Sequence, residues 1–280
     1  MGFINVGTEN SASIDLYYED HGSGRPVVLI HGYPLNGGSW EKQTAALLAA
    51  GYRVITYDRR GFGRSSQPTT GYDYDTFAED LRKVVTKLEL RDFALAGFSM
   101  GGGEVARYLG KYGSQGVTKA VFAAAIPPYL GKAPDNPQGV DLSVFQGIEK
   151  AIAADRYAFF TEFFKNFYNT DVTLGKRISE QAVQASWNVA VASSATASLA
   201  CVSTWTTDFR KDLARVEVPT LVIHGDADRI VPIGASGALT AKLVKGARLA
   251  QIQGAPHGLL WTHAEEVNHA LLEFLGQGRR

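Results

Sequence analysis

The chain has 280 residues with 28 basic and 28 acidic side chains, so its formal charge is zero and it offers no net field for capturing nucleic acid or other polyanions. Hydrophobic residues at 45% and charged residues at 20% exclude disordered, collagen-like and membrane-spanning classes. Glycine is the outlier, with 30 residues against a usual ~7%, which calls for many tight turns or close backbone approaches.

In chain order, residues 14–18, 26–30 and 54–57 read as short strands, the last two nearly continuous in apolar residues as buried strands are. Helical patterns alternate with them. Residues 40–50 end at Gly51, and residues 76–88 repeat apolar side chains through Phe77, Leu81, Val84, Val85 and Leu88. A strand at 93–96, a helix at 105–109 closed by Gly110 and Gly113, and a strand at 118–125 continue the rhythm. It breaks at Pro127-Pro128, and from about 144 to 213 only helical patterns follow, at 155–167, 179–191 and 196–206. After Val218-Pro219 the alternation resumes with a strand at 220–223, a helix at 236–243, a strand at 248–252 and a last amphipathic helix at 264–275. The reading is an α/β core of residues 1–127 and 214–280 built on a mostly parallel, doubly wound sheet. Residues 128–213 form an inserted helical cap over the carboxyl ends of the strands, where open α/β sheets bind ligands.

A single cysteine, Cys201, forms no intramolecular disulfide, and the start of the chain lacks the basic and apolar segments of a secretory signal, so a cytoplasmic protein is expected. Cys201 lies among small apolar residues and reads as a buried hydrophobe. The apolar stretches at 120–127 and 189–202 are too short or too interrupted to span a bilayer.

Gly97-Phe98-Ser99-Met100-Gly101 fits G-x-S-x-G between a strand and a helix, the context of a nucleophile elbow. A serine in so sharp a turn needs small flanking residues, and the following helix start offers an amide and a positive dipole end to an oxyanion. The serine requires a base, and the base a carboxylate. His257, in Gly254-Ala255-Pro256-His257-Gly258 after a strand, is the candidate base on what is expected to be a mobile loop; His263 and His269, on or beside the last helix, suit surface or capping roles. The loop after residues 220–223 offers Asp226 and Asp228. Asp228 is the chosen acid, and Asp226 is expected to satisfy loop amides as in an Asx turn. The second oxyanion amide is expected from Tyr33 in His31-Gly32-Tyr33-Pro34, beside that of Met100, with His31 bonding backbone and His224 packing at a strand end. The run from Asp58 to Ser65 lacks both phosphate-loop patterns and reads as a structural turn held by Asp58 and arginine pairing. No cluster suggests a metal, and none is expected.

These residues make the chain resemble an α/β hydrolase along essentially its full length. His31-Gly32-Tyr33-Pro34-Leu35, Tyr57-Asp58-Arg59-Arg60-Gly61-Phe62-Gly63, the elbow with Gly103-Glu104-Val105-Ala106-Arg107-Tyr108, and Gly254-Ala255-Pro256-His257-Gly258-Leu259-Leu260-Trp261 together make it similar to the bacterial cofactor-free, non-haem haloperoxidases or perhydrolases, especially the actinomycete bromoperoxidases. Tyr33 stands where Phe or Trp is more familiar. The resemblance implies an eight-stranded sheet, a Ser99, Asp228 and His257 triad, an oxyanion hole of the Tyr33 and Met100 amides, and no cofactor. It further implies a small carboxylic acid or ester, hydrogen peroxide and halide as reactants, no nucleic-acid or membrane partner, and a homo-oligomer, often a trimer. The competing reading is a plain carboxylesterase or lactamase using the same residues. Which of the cap side chains Phe159, Phe160, Phe163, Phe164 and Trp187 face the substrate is left open by helical spacing.

Overall fold

Apolar runs without polar interruption form the centre of an eight-stranded sheet in the computed structural model, which describes residues 1–276. Its strands are β1 (Gly2–Glu9), β2 (Ala12–His21), β3 (Pro26–Ile30), β4 (Arg53–Tyr57), β5 (Phe93–Phe98), β6 (Val117–Ala123), β7 (Thr220–Gly225) and β8 (Arg248–Ile252), in the order β1-β2-β4-β3-β5-β6-β7-β8. β1 and β2 pair antiparallel and β2 meets β4 antiparallel; the pairings from β4 through to β8 are all parallel. β5 and β7 are buried along their whole length, as strands covered on both faces must be. β1 lies outside the strands expected from sequence. Only Ile4 and Val6 point inward along it, and its register shifts between Asn5 and Gly7, so its alternation is too short to stand out.

The strand order reverses direction at β3, which has β4 on one side and β5 on the other. The carboxyl ends of β3 and β5 therefore flank a topological switch point, the place where a doubly wound sheet opens a crevice for a ligand. Helices α1 (Glu41–Ala49), α2 (Tyr74–Lys87) and α3 (Met100–Tyr112) connect these strands. α2 is capped by the Asp73 side chain, which accepts from the Thr76 amide, and it buries Phe77, Leu81 and Val84. α3 starts at Met100, five residues before the apolar pattern that announced it, because the glycines at 101 to 103 carry no hydrophobic signal.

Five helices stand between β6 and β7: α4 (Leu142–Tyr168), α5 (Thr170–Thr173), α6 (Glu180–Val191), α7 (Ala195–Thr204) and α8 (Arg210–Leu213). Within α4 the backbone leaves helical geometry at Asp155, whose carboxylate accepts from the amides of Tyr157 and Ala158. That break restarts the helix, which is why the aromatic periodicity begins at Asp155. Ser179 and Ser194 cap α6 and α7. The chain closes with α9 (Gly237–Leu243), α10 (Leu259–Thr262) and α11 (Ala264–Gly276), and residues 277–280 of the expected core segment lie outside the described residues. Among the described residues no helix is long and apolar enough to cross a membrane, and no group of three His, Cys, Asp or Glu side chains is arranged to hold a metal ion.

Cys201 in α7 is fully buried, and that burial pushes its thiol up to about 12. A neutral, inaccessible thiol does not react. A disulfide reagent at pH 8 is expected to leave the folded protein unmodified and to label one thiol per chain after unfolding in guanidinium; rapid labelling of the folded protein would contradict this packing.

Candidate active site

The turn from β5 into α3 places Ser99 at φ 53°, ψ −118°, a conformation that costs a non-glycine residue about 1–3 kcal/mol. The surroundings leave the chain no alternative path. The Ser99 amide donates to the carbonyl of Ala123 at 2.9 Å, and the Ser99 carbonyl accepts from Gly102 at 3.0 Å. A methyl group at position 97 would run into the backbone of Gly101, and one at 101 into the carbonyl of Ile30 on β3. The two glycines of the motif thus let the elbow close against its own helix and against the neighbouring strand.

Ser99, His257 and Asp228 meet in space although 158 and 29 residues separate the successive partners. His257 Nε2 lies 2.9 Å from Ser99 Oγ, and His257 Nδ1 lies 2.7 Å from Asp228 Oδ2. The other carboxylate oxygen, Oδ1, accepts from the amides of Ile230 at 2.9 Å and Val231 at 2.8 Å. Burial alone would raise the carboxyl pKa of Asp228, but the imidazoles of His257 and His224 hold it well below the usual carboxylate range. With Asp228 ionised, the proton on His257 sits on Nδ1, and the Nε2 lone pair faces the serine hydroxyl.

The loop that bears His257 is packed against α4. His257 is fully buried, its ring packs against Phe98 at 5.2 Å and Phe167 at 5.0 Å, and the Gly258 amide donates to the carbonyl of Phe167 on α4 at 2.7 Å. Asp226 does satisfy a loop amide, but across the sheet edge and not in an Asx turn of its own: Oδ1 accepts from Gly254 at 2.6 Å and ties the acid loop to the histidine loop. Of the surface and capping roles expected, His263 has the second: it is buried beside Thr262 Oγ1 at 2.9 Å at the C-cap of α10, while His269 is exposed.

The β3 loop reaches the serine through a glycine. A Cβ on Gly32 would lie 2.8 Å from Ser99 Cβ, so the Tyr33 backbone passes beside the nucleophile, and Met100, as the first residue of α3, has an amide with no partner inside its helix. Behind this loop lies a charged cluster shut off from solvent. His31 Nε2 accepts from the Arg59 amide at 2.9 Å, leaving the proton on Nδ1 to be donated to the Gly32 carbonyl at 2.9 Å, and burial keeps the imidazole neutral. Arg59 donates to the His31 carbonyl at 2.9 Å and to Glu104 of α3 at 2.8 Å, and Tyr57 adds its hydroxyl to the same carboxylate. The arginine pairing expected around Asp58 is therefore different in kind. Asp58 accepts from the amides of Gly37 and Arg64, Arg59 pairs with Glu104, and Arg60 pairs with Asp80. A signal for this existed, since Glu104 is the one carboxylate in the otherwise small and apolar start of α3, but its partner lies 45 residues earlier.

Ser99 and His257 open into a cavity of about 330 Å³. Tyr33, Ile126 and Val231 contribute from the core side, and Phe145, Phe163 and Trp205 from the inserted helices. Of the aromatics left open by sequence, Phe159 and Phe163 face this cavity, Phe160 is buried in packing, and Trp187 and the largely buried Phe164 line a separate surface hollow. Glu162, Asn166 and Arg229 supply the remaining polar side chains of its lining.

A sheet of this order carrying a serine at the switch point is the architecture of one enzyme class, and residues 25–264 match the family model described as alpha/beta hydrolase fold. The chain belongs to that family. Its place within the family is narrower. A Synechocystis sp. protein carrying a provisional non-heme chloroperoxidase name is 62% identical over 275 residues, spanning 98% of this chain and 100% of that protein. The bifunctional esterase/perhydrolase of Acinetobacter calcoaceticus is 36% identical, over 98% of this chain and 99% of its own. The crystal structure of a bromoperoxidase from Bacillus anthracis superposes with a TM-score of 0.95 at 49% identity, covering 99% of both chains. The chain is accordingly an enzyme of the non-heme haloperoxidase and perhydrolase branch, a group that includes esterase activity.

Removing Glu104 leaves the Arg59 guanidinium buried without its counter-charge, a change that costs about 3–5 kcal/mol. Glu104→Ala is expected to lower the unfolding free energy obtained from urea denaturation by that order, whereas Glu162→Ala, which loses a solvent-exposed pair with Lys165, is expected to leave it nearly unchanged. Equal unfolding free energies for the two variants would show that the buried pair contributes nothing.

Proposed function

We propose that Ser99, His257 and Asp228 are the nucleophile, base and acid of a serine perhydrolase whose peracid product oxidises halide. His257 Nε2 takes the hydroxyl proton as Ser99 Oγ attacks the carbonyl carbon of a small ester or carboxylic acid, and it returns that proton to the departing alcohol or water. The oxyanion formed in each addition is held by the amides of Tyr33 and Met100, with the N-terminal end of α3 adding its positive dipole. Water attacking the acyl-enzyme releases the carboxylic acid. Hydrogen peroxide attacking it, with a proton passing to His257 and the bond to Ser99 breaking, releases a peracid with its O–O bond intact. The peracid then transfers its terminal oxygen to bromide or chloride in solution, giving hypohalous acid and the carboxylate, and the enzyme emerges unchanged.

The observation that carries this reading is the unbroken Ser99–His257–Asp228 hydrogen-bond chain opening onto an apolar cavity. A volume of about 330 Å³ sits at the low end of ligand pockets, which favours short acyl groups. The helices between β6 and β7, which supply the aromatic wall, act in this reading as a cap of residues 128–213 over the core. A homotrimeric assembly and a cytoplasmic location, both implied at the level of the family and the single cysteine, belong to the same proposal.

Ser99→Ala is expected to abolish both peroxide-dependent bromination in acetate buffer and hydrolysis of p-nitrophenyl acetate, a loss of about 10³-fold or more in kcat. Bromination surviving in that variant would refute acyl transfer through Ser99. Trapping the wild-type acyl-enzyme with peroxide and water in competition separates the two activities; negligible peracid at millimolar peroxide would reduce the enzyme to a plain carboxylesterase. Phe163→Ala, which removes part of the aromatic wall, is expected to shift the preferred p-nitrophenyl ester from acetate toward longer chains, read as the ratio of kcat/KM for hexanoate to that for acetate.

A further inference from the structure

Asp228 is gripped from two sides, and only one of them is His257. Both lone pairs of Oδ1 are engaged by the amides of Ile230 and Val231, and one lone pair of Oδ2 by His257 Nδ1–H. The remaining side of Oδ2 faces the Nε2 of His224 at 3.3 Å, in a contact where neither side chain has any solvent exposure. The same Nε2 lies 2.9 Å from the carbonyl of Val231. That acceptor requires a hydrogen on Nε2, so this N–H donates to the Val231 carbonyl at one end of the turn while it stands beside the Asp228 carboxylate at the other. His224 belongs to β7, which is paired on both sides by β6 and β8, whereas Asp228 stands on the loop beyond. A rigid strand thus holds a loop-borne acid. The ring cannot retreat, because Gly237 packs against its Nδ1 edge so closely that a methyl group there would collide with it.

We propose that His224 is a positioning residue for the triad acid: its Nε2–H fixes the turn from Asp228 to Val231 and holds the Asp228 carboxylate in the orientation in which Oδ2 meets His257. The inference rests on Asp228 being the acid of the triad. A buried carboxylate that loses one of its donors turns toward whatever polar group remains, and a small rotation moves Oδ2 out of line with His257 Nδ1. The imidazole then loses the partner that sets its tautomer and its aim at Ser99. His224 touches neither substrate nor serine, so its effect runs wholly through Asp228.

The test is a mutant cycle on p-nitrophenyl acetate hydrolysis with folding followed by circular dichroism. His224→Met fills the ring volume without a donor and is expected to lower kcat by about 10–100-fold, the loss seen when the partner orienting a metal-ligating side chain is removed, with KM little changed. His224→Gln returns an N–H close to the Nε2 position and is expected to recover most of that loss. In an Asp228→Asn background the His224→Met change is expected to cost little more, because its target is already gone. Should His224→Met fail to fold, His224→Asn, whose shorter amide stops short of Asp228, takes its place in each comparison. Wild-type kcat in the folded donor-less variant, a glutamine variant as slow as the methionine one, or equal losses in both backgrounds would each overturn the proposal. Full activity in Asp228→Asn alone would instead bring down the triad reading, and is thereby distinct from a failure of His224.

Discussion

A serine held at positive φ between a strand and a helix is the constraint around which the rest of this molecule is arranged. The conformation is unfavourable by itself, and it persists because two glycines let the following helix and the neighbouring strand close on it. Everything the chemistry needs is referred to that point. The elbow sets the direction of α3, the β3 loop lies against Ser99 through Gly32, and the histidine and acid loops descend from β8 and β7 to complete the chain of hydrogen bonds.

Buried polar networks keep those loops in place. Glu104, one helical turn beyond the elbow, reaches through Arg59 to the carbonyl of His31, so the elbow helix and the loop after β3 share one charge pair. Such a pair is weak evidence for net stability, since desolvation opposes it, but its geometry is specific: neither end shifts without stranding a charge. Asp226 does the same work with amides between the acid and histidine loops, and Asn169 of the inserted helices donates to the Ala227 carbonyl beside Asp228. The helices between β6 and β7 are therefore joined to the loop that bears Asp228. The side chain of Tyr33 extends the link, since its hydroxyl donates to the Ser198 carbonyl on α7 at 2.9 Å.

The neutrality of the whole chain and the apolar character of the cavity belong together. In the proposed reaction a substrate without large charge needs no steering field, and the shape of the aromatic wall with the two amides proposed to hold the oxyanion sets its specificity. The wall is assembled from helices whose own cores consume most of their aromatic residues. Phe160 and Phe164 hold the segment together, while Phe159 and Phe163, on the same helix, are left for the substrate.

The alternation of strands and helices, the elbow at Ser99, the loops bearing Asp228 and His257, and the helical stretch after β6 are legible in the chain itself, because each is written in local patterns: apolar runs, glycine spacing, and chain order. The helix starts read at residues 179 and 155 coincide with the Ser179 cap of α6 and the break in α4, whereas the Ser194 cap of α7 lies two residues ahead of the start read at 196. β1 was not legible, because two inward residues and a bulge make too short an alternation. Only the tertiary structure decided who partners whom. Arg59 with Glu104, Arg60 with Asp80, Asp226 with the Gly254 amide and His224 with Asp228 across the acid turn are contacts set by which strand ends and loops the fold brings together. Local propensity carries no information about a partner 20 or 45 residues away, and the contacts of His257 with Phe98 and Phe167 likewise join distant parts of the chain.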